Sequence, residues 1–179
     1  MVFARGTGAP PGVGAVGEAF IDSLRTSVPT KTISVYAVNY PAGVDFANSS
    51  TIGAADVSAH LQTMAAECPD TDLVLGGFSQ GATVIELATG TDGAAWGYSR
   101  PPPQWVTDHI AAVALFGNPS RKFRRTPFTQ ANPTYRDRSV DLCAIGDPIC
   151  SNGVNLPVHA AYVQVGAAQK AAAFVSGHL

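Results

Sequence analysis

The chain contains 179 residues, of which 46% are hydrophobic and 13% are charged. This length fits one sizeable domain, residues 1–179, better than two, and the high hydrophobic fraction excludes a disordered chain. A formal net charge of −2 argues against electrostatic capture of nucleic acid. No apolar run reaches the roughly 18 to 20 residues of a membrane-spanning helix.

Short apolar runs alternate along the chain with stretches of helical period. The predicted strands are Met1–Ala4, Thr32–Val38, Leu73–Gly76, Ala112–Phe116 and Val140–Ala144. The predicted helices are Val13–Leu24, Ser50–Glu67, Gln80–Ala88 and Gln164–Val175. Several strands are almost continuously apolar, as strands buried on both faces are, and the alternation of strand and helix predicts an α/β fold with a parallel sheet. Residues 101–103 and 121–133 are predicted loops.

Two motifs suggest phosphate binding, and both have a simpler interpretation. Residues 12–17 read GVGAVG, a literal GxGxxG. Its first glycine lies about eight residues beyond the first strand, and no acid follows the second strand to hold a ribose, so the sequence argues against a dinucleotide site. Residues 121–125 read RKFRR, which in a chain of negative net charge is more often a solvated loop than a phosphate patch.

The strongest catalytic motif is Gly77-Phe78-Ser79-Gln80-Gly81, placed between an apolar strand and a helix. This pattern describes a nucleophile elbow, in which the residues two before and two after the serine must be small. The serine hydroxyl would project above the sheet, and the amide of Gln80 would face the same space. The sequence therefore predicts a serine nucleophile with an oxyanion-stabilising amide.

The serine needs a histidine base and an acid, which in this architecture follow it in the order acid, then histidine. His159 lies in a loop-like stretch after the last strand and fits best. The other histidines fit worse, because they precede the serine, fall on predicted helices or end the chain; they are His60, His109 and His178. Asp147 follows the last strand and is the preferred acid. Asp141 lies inside that strand and Asp137 before it.

The chain has three cysteines, and their spacing alone does not decide whether any of them form a disulfide. Cys143 and Cys150 enclose a short loop that a disulfide can close, and disulfides persist in oxidising compartments. The alternative is a pair of buried thiols in a cytosolic protein. The chain starts directly on a strand, with no export signal as given. We therefore expect either a cytosolic protein or a chain whose leader has been removed.

These motifs together resemble the cutinase family of serine esterases, in particular its mycobacterial-type members. The segments that carry the resemblance are residues 3–7, 36–41, 76–81 and 143–150, together with His159. The resemblance implies a small lidless α/β-hydrolase with a five-stranded parallel sheet covered by helices on both faces. It implies a catalytic triad of Ser79, Asp147 and His159, and an oxyanion hole from the amides of Thr7 and Gln80.

The same resemblance implies a disulfide between Cys143 and Cys150 and no metal or organic cofactor. Family members usually carry a cysteine before the first strand that pairs with the position of Cys68; it is absent here, so we expect Cys68 to be unpaired and a leader to have been removed. The implied protein is a secreted, monomeric esterase for short- to medium-chain esters. It has no nucleic-acid partner and makes transient contact with a lipid or polymer surface.

Which ester is cleaved stays open, and polyester, phospholipid and triacylglycerol are the candidate classes. Two alternatives to an esterase also stay open at this point: a catalytically inactive hydrolase fold used as a surface or binding protein, and a dinucleotide-binding module. Labelling of Ser79 by a fluorophosphonate would separate the esterase from both.

Overall fold

Five parallel strands form the centre of the protein in a computed structural model that describes residues 1–91, 98 and 100–179. The strands are β1 (Val2–Ala4), β2 (Tyr36–Ala37), β3 (Leu73–Phe78), β4 (Ile110–Phe116) and β5 (Ser139–Leu142). Their order in the sheet is β2-β1-β3-β4-β5, and all four neighbouring pairs run parallel. The predicted five-stranded parallel α/β fold is confirmed.

Helices connect the strands and cover the sheet. They are α1 (Gly14–Ser27), α2 (Phe46–Glu67), α3 (Gln80–Ala88), α4 (Gln104–Thr107), α5 (Pro119–Arg124), α6 (Phe128–Ala131) and α7 (Ala167–Ser176). Two 3₁₀ segments add to these, Pro133–Arg138 and Leu156–Ala160. Within the described ranges, no helix is both long enough and apolar enough to cross a bilayer.

Both faces of the sheet are buried, which explains why the strands lack polar alternation. Along β3, Leu73 and Leu75 join a core with the residues of α2 and α3, whereas Val74 joins a second core with α1 and α7. Successive side chains of a strand point to opposite faces, so an all-apolar run supplies both cores at once. On one side of the sheet α1 packs against α7, and on the other side α2 packs against α3.

The glycine-rich segment that resembles a dinucleotide fingerprint has a structural role. Gly12 and Gly14 adopt positive φ angles of 128° and 67° in the turn that enters α1. Gly17 lies against the ring of Phe3, where an added Cβ would come within 2.7 Å of the ring carbon Cδ1. The glycines therefore shape the turn and allow α1 to approach β1 closely.

Most predicted elements are present with ends shifted by up to four residues, and two predictions were wrong for identifiable reasons. Strand β2 covers only Tyr36–Ala37 instead of Thr32–Val38, because it is an edge strand and its one neighbour, β1, is three residues long. The predicted loop 121–133 contains helical turns. Asn118 caps α5 by accepting a hydrogen bond from the amide of Ser120, and Pro119 occupies the first helical turn. Both are known start signals that composition alone obscured.

Candidate active site

Ser79 occupies the sharp turn between β3 and α3. Its backbone has φ 54° and ψ −119°, a conformation that a non-glycine residue adopts at a cost of about 1 to 3 kcal/mol. An added Cβ on Gly77 would overlap the carbonyl of Gly81, and one on Gly81 would overlap the carbonyl of Ala4. The amide of Ser79 donates to the carbonyl of Phe116 at 2.9 Å. The turn thus has the geometry expected of a nucleophile elbow.

The structure brings together the three residues predicted to act in catalysis. The Ser79 hydroxyl oxygen lies 2.9 Å from Nε2 of His159, and Nδ1 of the same ring lies 2.8 Å from Oδ2 of Asp147. Asp147 is fully buried, whereas the His159 side chain is 17% exposed and Ser79 is partly exposed. With Nδ1 donating to the carboxylate, Nε2 is free to accept the serine proton.

Asp147 has two further hydrogen-bond donors that hold its carboxylate in place. The amide of Ile149 donates to Oδ1 at 2.8 Å, and the hydroxyl of Tyr162 donates to Oδ2 at 2.7 Å. Burial raises the pKa of Tyr162, and the Asp147 carboxylate adds to the rise, so the phenol stays protonated and keeps donating. Sequence reasoning missed Tyr162, because no spacing rule links a tyrosine to the acid of a triad.

We expect Tyr162→Phe to lower kcat on a soluble ester about tenfold with little change in KM. The variant removes one donor from Asp147 and leaves the amide of Ala144, which donates to the same hydroxyl at 3.1 Å, without its acceptor. The unpaired amide should also lower the free energy of unfolding by about 1 to 3 kcal/mol. Steady-state kinetics and urea unfolding measure the two effects. An unchanged kcat in a destabilised variant would contradict the positioning role.

The imidazole of His159 is confined between two neighbours. The ring of Phe78 stacks on it with centroids 4.9 Å apart and planes inclined by 26°. Gly117, at φ 56°, lies beneath the ring, and an added Cβ there would come within 2.8 Å of the ring carbon Cε1. Residue 117 is therefore small because the imidazole needs the space, and the aromatic contact limits rotation of the ring.

Thr7 lies in the turn that follows β1 and is exposed. The turn is fixed from below by Arg5, which is buried and donates to the carbonyls of Ala9 at 2.9 Å and Tyr40 at 2.7 Å. The amide of Gly8 donates to the carbonyl of Ala42 at 2.8 Å. These contacts tie the Thr7 turn to the segment after β2.

Gln80 begins α3 directly after the nucleophile, and its side chain is buried. The side-chain amide donates to the carbonyl of Gly43 at 2.9 Å, and its oxygen accepts from the hydroxyl of Ser49 at 3.3 Å. Main-chain amides in the first turn of a helix have no partner within the helix. The Gln80 amide is therefore a donor beside the serine, and its role with Thr7 as an oxyanion hole stays a prediction.

The other histidines lie in different surroundings. His60, in α2, stacks on the ring of Tyr36 with centroids 3.6 Å apart. His109 precedes β4, at the opposite end of that strand from Gly117. His178 lies near the end of the chain, with Nδ1 3.0 Å from the carbonyl oxygen of Phe174. In the part of the chain that the structure describes, the hydrogen bond to Ser79 comes from His159.

Asp141, the acid that the sequence ranked below Asp147, is buried in a separate polar cluster. Its Oδ2 accepts from the amide of Phe128 at 2.8 Å and from the side chain of Asn118 at 3.2 Å. Asn118 also donates to Glu86 at 2.7 Å. Burial, reinforced by the Glu86 carboxylate, raises the pKa of Asp141 to about 6.

We expect Asp141→Asn to stabilise the protein above pH 6 and to change little near pH 4. The carboxyl ionises near pH 4 in the unfolded chain and near pH 6 in the folded one, so the folded state loses stability as pH rises between these values. Removing the charge should recover about 3 kcal/mol at pH 8, since each pKa unit corresponds to about 1.4 kcal/mol. Urea unfolding at both pH values, with the exposed Asp137→Asn as control, measures the difference. A variant less stable than wild type at pH 8 would contradict this account.

A disulfide joins Cys143 to Cys150 and closes the loop that carries Asp147. The Cα atoms of the two cysteines are 5.8 Å apart, and the sulfur of Cys150 lies 3.3 Å from Oδ2 of Asp147. The pairing that the family resemblance implied is confirmed. Cys68, which follows α2, is a free, half-buried thiol.

Replacing both bridged cysteines by serine should reduce catalysis more than folding. The bridge restrains the Asp147 loop, while the sheet and the elbow lie outside it, so we expect about a tenfold or larger loss in kcat with an unchanged circular dichroism spectrum. Closing so short a loop contributes about 2 to 3 kcal/mol in the chain-entropy account. The control is Cys68→Ser, which removes a thiol and no bridge. Full activity in the double variant would show that backbone hydrogen bonds alone hold the acid.

A strained serine between a buried parallel strand and a helix, bonded through histidine to a buried aspartate, defines a serine hydrolase of the α/β class. Residues 1–179 match the family model described as Cutinase. Carboxylesterase Culp1 of Mycobacterium tuberculosis (strain ATCC 25618 / H37Rv) is 47% identical over 184 residues, which are 100% of this chain and 80% of the relative. Phospholipase Culp4 of the same strain is 46% identical, over 100% and 77% of the two chains.

Solved structures agree with the sequence relatives. An acetyl xylan esterase superposes with a TM-score of 0.84 at 25% identity, covering 99% of this chain and 96% of that one. A Trichoderma reesei cutinase in complex with a C11Y4 phosphonate inhibitor superposes with a TM-score of 0.77 at 34% identity, covering 98% and 74%. The chain therefore belongs to the cutinase family and is a serine carboxylic ester hydrolase.

Proposed function

We propose that this enzyme is secreted and hydrolyses short- to medium-chain carboxylic esters through an acyl-enzyme on Ser79. The observation that supports the proposal is the unbroken pair of hydrogen bonds, 2.8 Å and 2.9 Å long, from Asp147 through His159 to the Ser79 hydroxyl. An inactive surface protein of the same fold would have no use for a serine held at φ 54° in a strained turn.

In the proposed mechanism, the Ser79 oxygen attacks the ester carbonyl while Nε2 of His159 takes the hydroxyl proton. Asp147 holds the ring by its Nδ1 and stabilises the imidazolium. The carbonyl oxygen becomes an oxyanion that accepts hydrogen bonds from the amides of Thr7 and Gln80. Each such donor is worth about 3 kcal/mol in comparable sites.

Collapse of the tetrahedral intermediate breaks the bond to the alcohol, which takes the proton from the His159 imidazolium and leaves. Water then attacks the acyl-Ser79 ester, giving its proton to Nε2 of the same imidazole. A second collapse releases the carboxylic acid and returns the proton to the Ser79 oxygen. Every proton in this cycle moves through Nε2 of His159, and the proposed steps use no metal or organic cofactor.

Exposed apolar side chains on the loops around the site support an ester with an apolar or insoluble body. Val44 is 95% exposed on the loop that Gln80 anchors, and Ile145 is 99% exposed two residues before Asp147. Val154 and Leu156, shortly before His159, are 95% and 61% exposed. Apolar side chains grouped on a surface mark a place where other apolar material binds. We propose transient contact between this rim and a lipid or polymer surface.

The disulfide supports secretion, because such bonds persist in oxidising compartments and are rare in the cytosol. A monomer remains our proposal for the oligomeric state. The name of one relative, phospholipase Culp4, and the likeness to an acetyl xylan esterase make phospholipids and acetyl esters two substrate classes to test beside simple esters.

A fluorophosphonate probe followed by an ester series tests the proposal. We expect the probe to label one residue, Ser79, and to label neither Ser79→Ala nor heat-denatured protein. Initial rates on p-nitrophenyl esters from acetate to palmitate should then peak at a short or medium chain. Folded protein that neither reacts with the probe nor cleaves any ester would favour an inactive binding protein. A peak at acetate alone would favour a deacetylase of acetylated polysaccharides.

A further inference from the structure

Positive charge is concentrated in one short segment of this acidic chain. Four of the eleven lysines and arginines lie within residues 121–125, at the end of α5. This segment borders a surface cavity of about 450 Å³ on the outer side of the loop that carries Asp147. The residues lining the cavity are Arg121, Lys122, Arg125, Pro127, Cys150, Ser151 and Asn152.

Two of the cations that line this cavity donate to main-chain carbonyl oxygens. Arg121 donates to the carbonyl of Asp141 at 3.0 Å, and Lys122 donates to the carbonyl of Pro148 at 2.8 Å. Arg124, whose guanidinium pairs with the buried Glu86 at 2.6 Å, is absent from the lining. Within residues 1–91, 98 and 100–179, no ion pair involves Lys122 or Arg125. Two positive charges at the cavity are therefore not neutralised by a neighbouring acid.

An exposed aromatic ring accompanies these charges. Phe123 is 78% exposed and lies between Lys122 and Arg124 in the chain. The segment between β5 and residue 156, which lines the cavity through Cys150, Ser151 and Asn152, also carries Ile145 and Val154, and both are almost fully exposed. Cations beside protruding apolar side chains are typical of a surface that meets the headgroups and the upper acyl region of an anionic membrane. The sequence alone favoured a solvated loop for residues 121–125. That interpretation explains the charged side chains but not the exposed ring of Phe123.

We propose that the cavity beside residues 121–125 binds the phosphate group of an anionic phospholipid and docks the active-site face on an anionic lipid surface. Charge complementarity selects the headgroup phosphate, and the neighbouring apolar side chains select a lipid over a free phosphate ion. Because Lys122 bonds to the carbonyl next to Asp147, the docked segment and the catalytic loop are one connected surface. The proposal concerns binding and does not depend on which ester the enzyme cleaves.

Vesicle co-sedimentation tests the proposal in a Ser79→Ala background, which prevents hydrolysis and separates docking from catalysis. We expect tight partitioning onto phosphatidylcholine vesicles that contain phosphatidylglycerol, and weak partitioning onto phosphatidylcholine alone. Lys122→Gln with Arg125→Asn should reduce partitioning onto the anionic vesicles roughly 25-fold, since each cation near the surface contributes about fivefold. Asparagine is chosen because Arg125 has φ 57°, which asparagine tolerates well.

The matched control is Arg25→Gln with Lys31→Gln, which makes the same change in net charge. Both control residues form exposed ion pairs, with Asp22 and Asp72, away from the cavity. We expect the control to bind anionic vesicles within about twofold of the parent, whereas Phe123→Ser should weaken binding severalfold. Equal losses in the cavity variant and the control would overturn the proposal. So would equal binding to both vesicle types, or binding of inorganic phosphate without binding of vesicles.

Discussion

Ser79→Ala should abolish ester hydrolysis while leaving the structure intact. Triad serines in comparable enzymes contribute about 10⁶-fold to kcat, so we expect a loss of at least 10⁴-fold on a soluble p-nitrophenyl ester. Alanine keeps the Cβ that the turn already accommodates and leaves both flanking glycines in place. The free energy of unfolding should therefore change by less than about 1 kcal/mol, because only a partly exposed hydroxyl is lost.

His159→Ala should be nearly as severe, and the double variant should be no worse than either single one. Non-additivity of this kind is the signature of residues that act as one unit. The matched control is His60→Ala, which removes an imidazole that stacks on Tyr36 and has no contact with Ser79 among the hydrogen bonds described above. Turnover of Ser79→Ala above about one thousandth of wild type, or a larger loss in His60→Ala than in His159→Ala, would show that the assignment is wrong.

Gly81→Ala should prevent stable folding. The added Cβ would overlap the carbonyl of Ala4, a backbone atom of a central strand, and could be accommodated only by moving α3 away from β1. No side-chain rotation relieves such an overlap, so we expect a loss above about 4 kcal/mol, a large fraction of the roughly 5 to 15 kcal/mol that stabilises a typical domain. Denaturant unfolding measures the loss if the variant folds. If it does not fold, the near-ultraviolet circular dichroism signal of the soluble protein should be absent.

Gly177→Ala is the matched control for this glycine. Gly177 has an ordinary φ of −74°, and an added Cβ would meet its nearest atom, the carbonyl oxygen of Phe174, at 3.4 Å. We expect the control to unfold within about 1 kcal/mol of wild type, since it gains helix propensity at the end of α7 and meets no severe overlap. A Gly81→Ala protein with a wild-type unfolding midpoint would mean that the elbow tolerates a wider turn.

The sequence predicted features that are encoded locally. A buried strand followed by GxSxG and a helix requires nearby glycines only, and the elbow at Ser79 was found in that way. The choice of His159 and Asp147 relied on chain order and on there being only four histidines. The structure places His159 within hydrogen-bond distance of Ser79, and Asp147 within hydrogen-bond distance of His159. Thr7 and Gln80 remain predicted donors, because a substrate oxygen is needed to test them.

The features that were missed arise from tertiary contacts. Tyr162 reaches Asp147 only because the last 3₁₀ segment brings the end of the chain back over β4 and β5, which no local pattern announces. The length of β2 depends on how many residues its neighbour offers for pairing. The short helices α5 and α6 lie below the length at which hydrophobic periodicity can be recognised. Only α5 has a capping side chain, Asn118, that could have revealed it.

Arg5 separates the backbone that positions the site from the side chains that surround it. Its guanidinium bonds to four main-chain carbonyls, those of Ala9, Val38, Tyr40 and Pro41, and none of these contacts depends on the identity of a side chain at the acceptor. We therefore expect the backbone beside Thr7 to keep its position when outward side chains are replaced. A randomised library confined to Val44, Ile145 and Val154 should yield mostly active enzymes with altered acyl preference. One scaffold of this kind can therefore support related esterases that differ in substrate preference.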